Sequence, residues 1–444
     1  MSAAVPPLPA LTHRGVLALA VPVMLSNVST PLIGVVDTAV VGQIPNPAHI
    51  GAVAIGALIF TFVFWAFGFL RMGTTGLTAQ ALGAQDHGEV AASLGRALLI
   101  AVAVGAALII LQWPIRGIAF ALLDASTDVE TLARGYFDIR IWAAPATLAS
   151  YALFGWFIGL GRTDIGFALQ LVLNVVNAAL DLLFVLGFGW GVQGVAAGTV
   201  IAEVTAAVVG GVLAWRLLRQ RGWRAPLARM LVADKIKRTL AANVDILLRT
   251  LCLIMVLVWF VANGAAESDA VLAANAVLLN CVSVAAFFLD GLAFAAEALV
   301  GRAVGAAQRA AFLTAVRLTT FWAVAIAVVI SVMLLVLGPA IIDRLTVDES
   351  ARVEARRYLP WAALVPVLGV WAFQLDGIFI GATRTAEMRN AALATLAIYL
   401  AAWWLLAPLG NHGLWAALGV SYLARAGTLF YYYPRLVHSL PAAA

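Results

Sequence analysis

The sequence predicts an all-α integral membrane protein whose twelve transmembrane helices form two pseudo-symmetric six-helix bundles. Three observations carry this prediction: a high apolar content, twelve apolar segments long enough to cross a bilayer, and an internal duplication. Of the 444 residues, 64% are hydrophobic and only 11% are charged, with a mean hydropathy of +1.00. Soluble domains carry roughly 25% charged residues. The composition therefore excludes a soluble enzyme, a nucleic-acid-binding protein and a disordered chain.

Twelve apolar segments follow one another along the chain. A transmembrane helix needs about 20 apolar residues to cross the hydrocarbon core of a bilayer. Segments of this kind, which we call spans 1 to 12, fall near residues 15–43, 52–72, 92–113, 135–158, 165–187, 194–217, 240–262, 271–296, 312–337, 359–381, 390–408 and 413–433. They are continuous and rich in Ala, Leu and Val, whereas the strands of a transmembrane β-barrel alternate apolar and polar residues. The sequence therefore predicts helices.

Arginine and lysine residues between the spans predict the orientation of the chain. The linker between spans 6 and 7 is rich in both, whereas the first, fifth and eleventh loops contain neither. In membrane proteins, the cytoplasmic loops carry the excess of basic residues. We therefore expect both termini and this linker to lie in the cytoplasm.

The two halves of the chain resemble each other. FIGLGRT at 157–163 recurs as FIGATRT at 379–385, which is 222 positions later, and shorter matches keep nearly the same spacing. Each half holds an even number of spans, so both begin on the same side of the membrane, as in secondary transporters built from parallel repeats. The expected parts are an N-terminal six-helix lobe at 1–217, an Arg/Lys-rich cytoplasmic linker at 218–239 and a C-terminal six-helix lobe at 240–444.

Ionisable side chains inside a span are costly in a bilayer and mark functional sites. Counting from the outer ends of spans 1, 5 and 6 places Asp37, Asp181 and Thr199 at one level, about 12 to 13 Å below the surface. Asn177 lies one turn deeper on the face of Asp181, and Glu203 one turn deeper on the face of Thr199. Burial among apolar residues disfavours a charged carboxylate, so these acids are suited to exchanging protons. We expect these residues to form a proton-coupling and substrate site, and leave Glu203 open between this role and a structural one.

The ionisable residues of the second half are interpreted differently. Asp245 and Arg249 are four positions apart in span 7, which is the spacing of an ion pair on one helix face. Three acids lie far along spans that begin outside and are expected near the cytoplasmic face: Asp290, Glu297 and Asp376. Arg302 and Arg384 are available there as partners, so a network of ion pairs that closes a gate is one interpretation.

The outer acidic site has no counterpart in the second half. The positions 222 residues after Asp37 and Asp181 are Trp259 and Trp403. This asymmetry predicts that one lobe senses protons while the other mainly lines the cavity.

Pro22 lies within span 1, below Asp37. Proline removes a backbone hydrogen bond and kinks a helix, and neighbouring helices can accommodate such a kink in a membrane. A bend at Pro22, in a helix that carries a titratable acid, is either a switch or a static kink.

Five segments, which include most of these residues, resemble segments of a known protein family. LALAVPVMLSNVSTPLIGVVDTAVVGQI at 17–44 resembles the first span of the multidrug and toxic compound extrusion (MATE) transporters. NVVNAALDLLFV at 174–185 and GVQGVAAGTVIAE at 191–203 are similar to the fifth and sixth spans of that family. FFLDGLAFAAEALVGRAVGA at 287–306 and FQLDGIFIGATRTAEMRN at 373–390 are similar to its DinF branch. The resemblance implies a V-shaped transporter of two six-helix bundles that exports organic cations in exchange for protons or sodium.

The same resemblance implies roles for individual residues. Asp37 matches the coupling aspartate of span 1, and Pro22 matches the proline at which that span bends. The polar network of spans 5 and 6 is matched by Asn177, Asp181 and Thr199. Further candidates for the cavity or for a gate are Asn174, Glu203, Tyr136, Arg140, Asp290, Glu297 and Asp376.

We expect a proton-coupled efflux antiporter for amphipathic or cationic organic compounds, working by alternating access as a monomer in a bacterial inner membrane. A sodium-coupled antiporter and a flippase for lipids or lipid-linked precursors remain alternatives. The NorM branch builds a sodium site from a span-7 glutamate and a span-10 aspartate, whereas this chain has Asp245 in span 7 and Asp376 in a different local motif. Because no HExxH, GxSxG or Walker motif occurs, we do not expect an enzyme. Nor do we expect a cofactor, a resident metal or a nucleic-acid partner.

Overall fold

Helices make up almost all of the chain that the structure, a computed structural model, describes. The described residues are 10–122, 126–224 and 226–441, and no β-strand occurs among them. Eleven helices in this part are long and apolar enough to cross a membrane: His13–Val41, Pro47–Gly83, His87–Ile110, Thr127–Gly159, Thr163–Gly187, Gly191–Gln220, Ala233–Glu267, Asp269–Gly305, Arg309–Leu345, Glu349–Gly381 and Thr385–Leu409.

The twelfth predicted span is also a helix, Asn411–His438, of 28 residues. Its buried Arg425, its tyrosines and its glycines make it less apolar than the other eleven. The twelve helices are spans 1 to 12 in order along the chain, so the predicted all-α membrane fold is confirmed. Two shorter helices connect spans: Gln112–Ala121 and Leu227–Met230.

Short polar residues begin several of the spans. The side chain of Asn46 accepts a hydrogen bond from the Ala48 amide at 2.9 Å, directly before span 2. Asp86 does the same for the Glu89 amide at the start of span 3, at 3.1 Å. Because the first amides of a helix have no partner within the helix, such side chains stabilise its beginning.

Two spans change helix type beside a predicted site residue. In span 4, a 3-10 turn at Ile141–Ala143 directly follows Arg140. In span 5, a π-helical turn at Leu182–Gly187 directly follows Asp181. Such turns within a helix are frequently found at functional sites and hinges. Span 1 is helical without a break through Pro22, so the role of this proline in bending stays a prediction.

The duplication is visible where helices cross. Gly155 in span 4 lies so close to span 2 that an added Cβ would stand 2.3 Å from the carbonyl oxygen of Arg71. Gly377 in span 10 lies in the same way against span 8, with 2.4 Å to the carbonyl oxygen of Ala293. Both members of the second pair follow those of the first by 222 positions. Small residues let membrane helices approach closely, so each half of the chain repeats the same crossing.

Tight turns repeat at the same interval. Gln85 and Ala307 have φ angles of 57° and 54°, and Gly161 and Thr383 have φ angles of 67° and 53°. The members of each pair are 222 positions apart. Residues other than glycine rarely adopt this left-handed conformation. Its recurrence at Gln85 and Ala307 is therefore a second structural sign of the repeat.

The described chain divides into two units. The N-terminal unit contains Leu25–Thr78 and Asp86–Thr239. The C-terminal unit contains the described residues of Met1–Met24, Ala79–Gln85 and Leu240–Ala444. Spans 1 and 2 therefore contribute to both units. The predicted lobe boundaries at residues 1 and 444 lie outside the described residues.

The predicted linker packs within the N-terminal unit. Arg229 forms an ion pair with Asp86, and Lys235 forms one with Glu89 at the start of span 3. Arg96 also pairs with Glu89 and donates to the carbonyl oxygen of Arg229 at 3.3 Å. Several of the linker's basic residues thus have acidic partners on one helix end.

Candidate functional site

Two buried carboxyl groups face each other in the N-terminal unit. Asp37 in span 1 is 4% exposed and Asp181 in span 5 is 0% exposed. Each is an electrostatic neighbour of the other. Within the described residues, no N–H or hydroxyl group donates to Oδ1 of Asp37 or to either carboxyl oxygen of Asp181. Two neighbouring carboxyl groups can share one proton, because protonation of one removes the repulsion between two negative charges.

Span 6 closes the site on a second side. The amide nitrogen of Asn177 donates to the Thr199 hydroxyl at 3.2 Å, and that hydroxyl donates to the Val195 carbonyl oxygen at 2.9 Å. The Asn177 side-chain oxygen is buried and accepts no hydrogen bond from the described residues. Since Asn177 is one turn before Asp181, the structure brings the four predicted residues of the site into one place.

Gly198 is a site residue that the sequence did not reveal. A Cβ added to Gly198 would stand 2.6 Å from Oδ1 of Asp181. The absence of a side chain at this position therefore makes room for the carboxyl group. The available signal was the small-residue run that precedes Thr199 in GVAAGT.

Asn174 lies beside this site but has a different role. Its side-chain nitrogen donates to the Ser29 carbonyl oxygen in span 1 at 3.1 Å, and its oxygen accepts from Gln170 at 2.9 Å. Asn174 therefore connects span 5 to span 1 two turns before Asp37. This contact sets how the helices carrying the two aspartates pack.

The third acid predicted for this site, Glu203, is paired with an arginine. Arg140 in span 4 donates to Glu203 through both terminal nitrogens, with 3.0 Å from Nη1 to Oε2. The Thr147 hydroxyl also donates to Glu203. Tyr136, one turn before Arg140, is buried and interacts electrostatically with Asp37, Arg140 and Glu203. Tyr136 and Arg140, predicted as cavity candidates, thus belong to the surroundings of the carboxyl pair.

Predicted acids of the C-terminal unit lie beside arginines. Asp376 pairs with Arg249 of span 7 and Arg425 of span 12. Asp290 and Glu297 are electrostatic neighbours of Arg249. Arg302 and Arg384 were the partners expected from sequence, but the arginines of spans 7 and 12 engage Asp376. Arg425 was missed, although it is a charged residue in an otherwise uncharged stretch of span 12.

The predicted ion pair between Asp245 and Arg249 is wrong. Asp245 instead accepts from Arg389 at 2.7 Å and from the Thr385 hydroxyl at 3.0 Å, both in span 11. Spacing along one helix predicts a local partner, but a buried charge is stabilised by whichever partners complete its hydrogen bonds. For Asp245 and Arg249, helices distant in sequence supply those partners.

The positions equivalent to the carboxyl pair also touch each other in the C-terminal unit. The rings of Trp259 and Trp403 pack edge to face with centroids 5.1 Å apart. Each follows its counterpart, Asp37 or Asp181, by 222 positions. The duplicated scaffold thus holds two acids in one unit and two indoles in the other.

Known proteins and one protein-family model match this chain over most of its length. A family model described as MatE matches it twice, over residues 22–183 and 246–405. DNA damage-inducible protein F of Escherichia coli K12 is 39% identical over 409 residues, which cover 92% of this chain and 89% of that protein. The multidrug resistance protein MdtK of Yersinia enterocolitica is 24% identical over 52% of this chain and 48% of its own length.

Solved structures share the fold. A MOP superfamily transporter from Pyrococcus furiosus superposes with a TM-score of 0.87 at 17% identity, over 97% of both chains. An outward-facing multidrug resistance transporter of the MATE family superposes with a TM-score of 0.86 at 16% identity, over 96% of both chains. The double match to one family model reproduces the internal duplication, and the relatives span both halves of the chain. The protein is therefore a multi-pass membrane transporter of the MATE family of multidrug efflux proteins, in its DinF branch.

Proposed function

We propose that this transporter exports amphipathic, often cationic organic compounds in exchange for protons, by alternating access. The observation that carries the proposal is the buried pair Asp37 and Asp181. Oδ1 of Asp37 and both carboxyl oxygens of Asp181 accept no hydrogen bond from any described donor, whether arginine, lysine or another group. Such a pair can hold a proton or attract a positive cargo. Proton entry from outside neutralises the pair and releases the cargo.

The Coulomb energy of this exchange is large enough to move a two-state equilibrium. Two unit charges 4 Å apart attract by about 4 kcal/mol at an effective dielectric constant of 20. Moving a population from 1:99 to 99:1 takes about 5.5 kcal/mol of differential binding. Loss of one negative charge from the pair therefore supplies most of the required energy.

The charges of the C-terminal unit support placing the exchange in the N-terminal unit. Asp376 is held by the guanidinium groups of Arg249 and Arg425. These ion pairs already compensate the charge of this carboxylate and occupy its oxygens, which weakens its attraction for a sodium ion or a cationic cargo. This surrounding argues against a sodium site built on Asp376.

One observation favours the sodium-coupled alternative. The buried side-chain oxygen of Asn177 accepts no hydrogen bond from the described residues and lies one turn from Asp181. Hard cations prefer carboxylate, amide and hydroxyl oxygens as ligands, and the site offers all three. A flippase for anionic lipid precursors is disfavoured, because two unpaired acids repel such a cargo.

Transport by the purified protein in sealed proteoliposomes separates these functions. We expect an inside-acid pH gradient, with sodium equal on both sides, to drive uptake of a cationic dye such as ethidium. Asp37→Asn abolishes this uptake, whereas the control Asp128→Asn, at an exposed aspartate, transports at the rate of the parent. pH-driven uptake that survives in Asp37→Asn contradicts the proposal. Uptake driven by a sodium gradient alone establishes the sodium alternative.

A further inference from the structure

The Arg140 guanidinium lies in the same buried cluster as three carboxyl groups. Asp37 counts Arg140 among its charged neighbours, beside Asp181. Both terminal nitrogens of Arg140 nevertheless donate their hydrogen bonds to Glu203. One internal cation thus has two acids within electrostatic range and is bound to only one of them.

The contacts around Glu203 hold this arrangement. A planar guanidinium that meets a carboxylate through two parallel hydrogen bonds forms the strongest and most directional kind of ion pair. Thr147 adds a third donor to Glu203. The rings of Phe60 and Phe64 lie 5.3 and 5.4 Å from the guanidinium carbon and favour the same position.

A second carboxyl group, that of Asp37, lies within electrostatic range of Arg140. The 3-10 turn Ile141–Ala143 follows it directly, and Tyr136, on the same helix face, also interacts with Asp37. If Glu203 lost its charge, Asp37 would be a carboxylate that Arg140 already senses. An arginine bound there would act as a permanent substitute for the cargo and keep the acid ionised.

We propose that Glu203 is a positioning residue that keeps Arg140 away from Asp37. The ion pair with Glu203 leaves the Asp37 and Asp181 pair without a bound counter-cation among the described residues, so that it stays available to protons and cargo. This inference rests on the proposed proton coupling at Asp37. It gives Glu203 and Arg140 a role in coupling although neither one binds the proton.

The ionisable groups around the two acids are few enough for a clean test. Asp37 faces Asp181 from span 5, and Tyr136 and Arg140 from span 4. Glu203 faces the same Tyr136 and Arg140, and Tyr151 further along span 4. Span 2 contributes the two phenylalanine rings and Arg71, which interacts with Tyr151.

A rescue experiment in the same proteoliposomes tests the proposal. We expect Glu203→Gln to lower the initial rate of pH-driven ethidium uptake by about tenfold or more, since the freed arginine captures Asp37. Removing the arginine as well, in Arg140→Gln/Glu203→Gln, restores the rate and its dependence on pH to those of the parent. Glu203→Asp, which keeps the charge, transports with the pH profile of the parent.

Two outcomes overturn the inference. One is a double variant that elutes as a folded protein and is as inactive as Glu203→Gln, which would make the pair purely structural. The other is Glu203→Gln with the rate and pH profile of the parent. If Glu203→Gln does not fold, the double variant alone decides, because it lacks both charges. If the double variant is not rescued and Asp37→Asn is inactive, only the role of Glu203 is contradicted. If Asp37→Asn still shows pH-driven transport, the coupling proposal itself is contradicted.

Discussion

Aspartates of the same sequence character have opposite surroundings in the two units. Asp37 and Asp376 are both buried in spans, yet Asp37 faces another acid while Asp376 is held by two arginines. A carboxylate bound to guanidinium groups keeps its charge and its partners, whereas a carboxyl group beside another one favours sharing a proton. The partners, and not the residue type, decide which acid can exchange ions.

At this scale Gly198 allows a matched test of the carboxyl pair. Gly198→Ala pushes a methyl group against Oδ1 of Asp181, because the added Cβ would stand 2.6 Å away. We expect pH-driven dye uptake to fall by about tenfold, since small displacements of a functional group are costly. The largest displacement is that of the carboxyl group, while Leu180 Cβ, at 3.3 Å, has to give way by a few tenths of an ångström. Elution of the variant as a folded protein is therefore checked first.

Gly211→Ala, in the same span, is the control for that change. An added Cβ there has nothing within 4 Å, and alanine in a helix interior is about 0.5 to 1 kcal/mol more favourable than glycine. Uptake by the Gly211 variant should equal that of the parent, and its melting temperature should be equal or higher. Equal uptake by both variants would show that the position of Asp181 does not matter.

Sequence reasoning at the residue scale yields positions along single helices, and the depth of these residues in a bilayer stays a prediction. Counting residues from helix ends placed Asp37, Asp181 and Thr199 at one level, because the rise of an α-helix is constant. The same reasoning failed for Asp245 and Arg249, because their partners lie on other spans. Depth is a property of one helix, whereas pairing is a property of several.

At the scale of the element, local sequence explains where helices begin and tertiary packing explains where they change. Asp348 caps the start of span 10, and its carboxylate accepts from the Ser350 hydroxyl and from the Ala351 amide at 2.8 Å. These hydrogen bonds, first that of Ser350 and then that of Ala351, lower the pKa of Asp348 below its ordinary value of 3.8. Asp348 lies between spans 9 and 10, outside the membrane-spanning helices.

The Asp348 cap predicts a pH-dependent contribution to stability. Because the pKa of Asp348 is lower in the folded state, the stabilisation is complete above the ordinary aspartate value and is lost as the pH falls through the lowered one. Asp348→Asn keeps an acceptor at the helix start without a titrating group. We expect the melting temperature of the parent, measured in detergent relative to Asp348→Asn, to decline over this acidic range.

Asp348→Ala completes the comparison, because it removes the acceptor at every pH. It should melt below both proteins at neutral pH. A melting-temperature difference between the parent and Asp348→Asn that stays constant down to pH values below 3.8 would exclude the titration of this cap.

For the whole molecule, the duplicated scaffold explains how one fold supports two different interiors. The crossings at Gly155 and Gly377 repeat 222 positions apart, and so do the left-handed turns at Gln85 and Ala307. Backbone geometry is thus repeated while the side chains have diverged. The acids of the first half and the tryptophans of the second occupy equivalent positions, so the proton exchange that we propose is assigned to the N-terminal unit alone.

The orientation of the molecule in the membrane is a prediction at this scale. Cys252 and Cys281 are buried and unpaired, so replacing both with alanine gives a background free of cysteine. Gln43→Cys, in the first loop, should react with a membrane-impermeant maleimide added to intact cells. Arg221→Cys, in the basic linker, should react only after the membrane is opened, because basic segments stay in the cytoplasm.

Both positions are exposed, so each cysteine is reachable from its own side. The opposite labelling pattern would reverse the proposed orientation. If both cysteines are labelled in intact cells, the cells are leaky. The experiment is then repeated with sealed right-side-out vesicles.

Composition and periodicity by themselves determined the membrane environment, the twelve helices, the duplication and the level of the first-half acids. These properties follow from hydrophobic transfer and helix geometry, which act on each segment alone. Only the tertiary structure decided which acids meet arginines: Glu203 with Arg140, Asp376 with Arg249 and Arg425, and Asp245 with Arg389. The physical reason is that a charge inside a membrane protein is stabilised by neighbours from distant parts of the chain, and their identity depends on how all the helices pack.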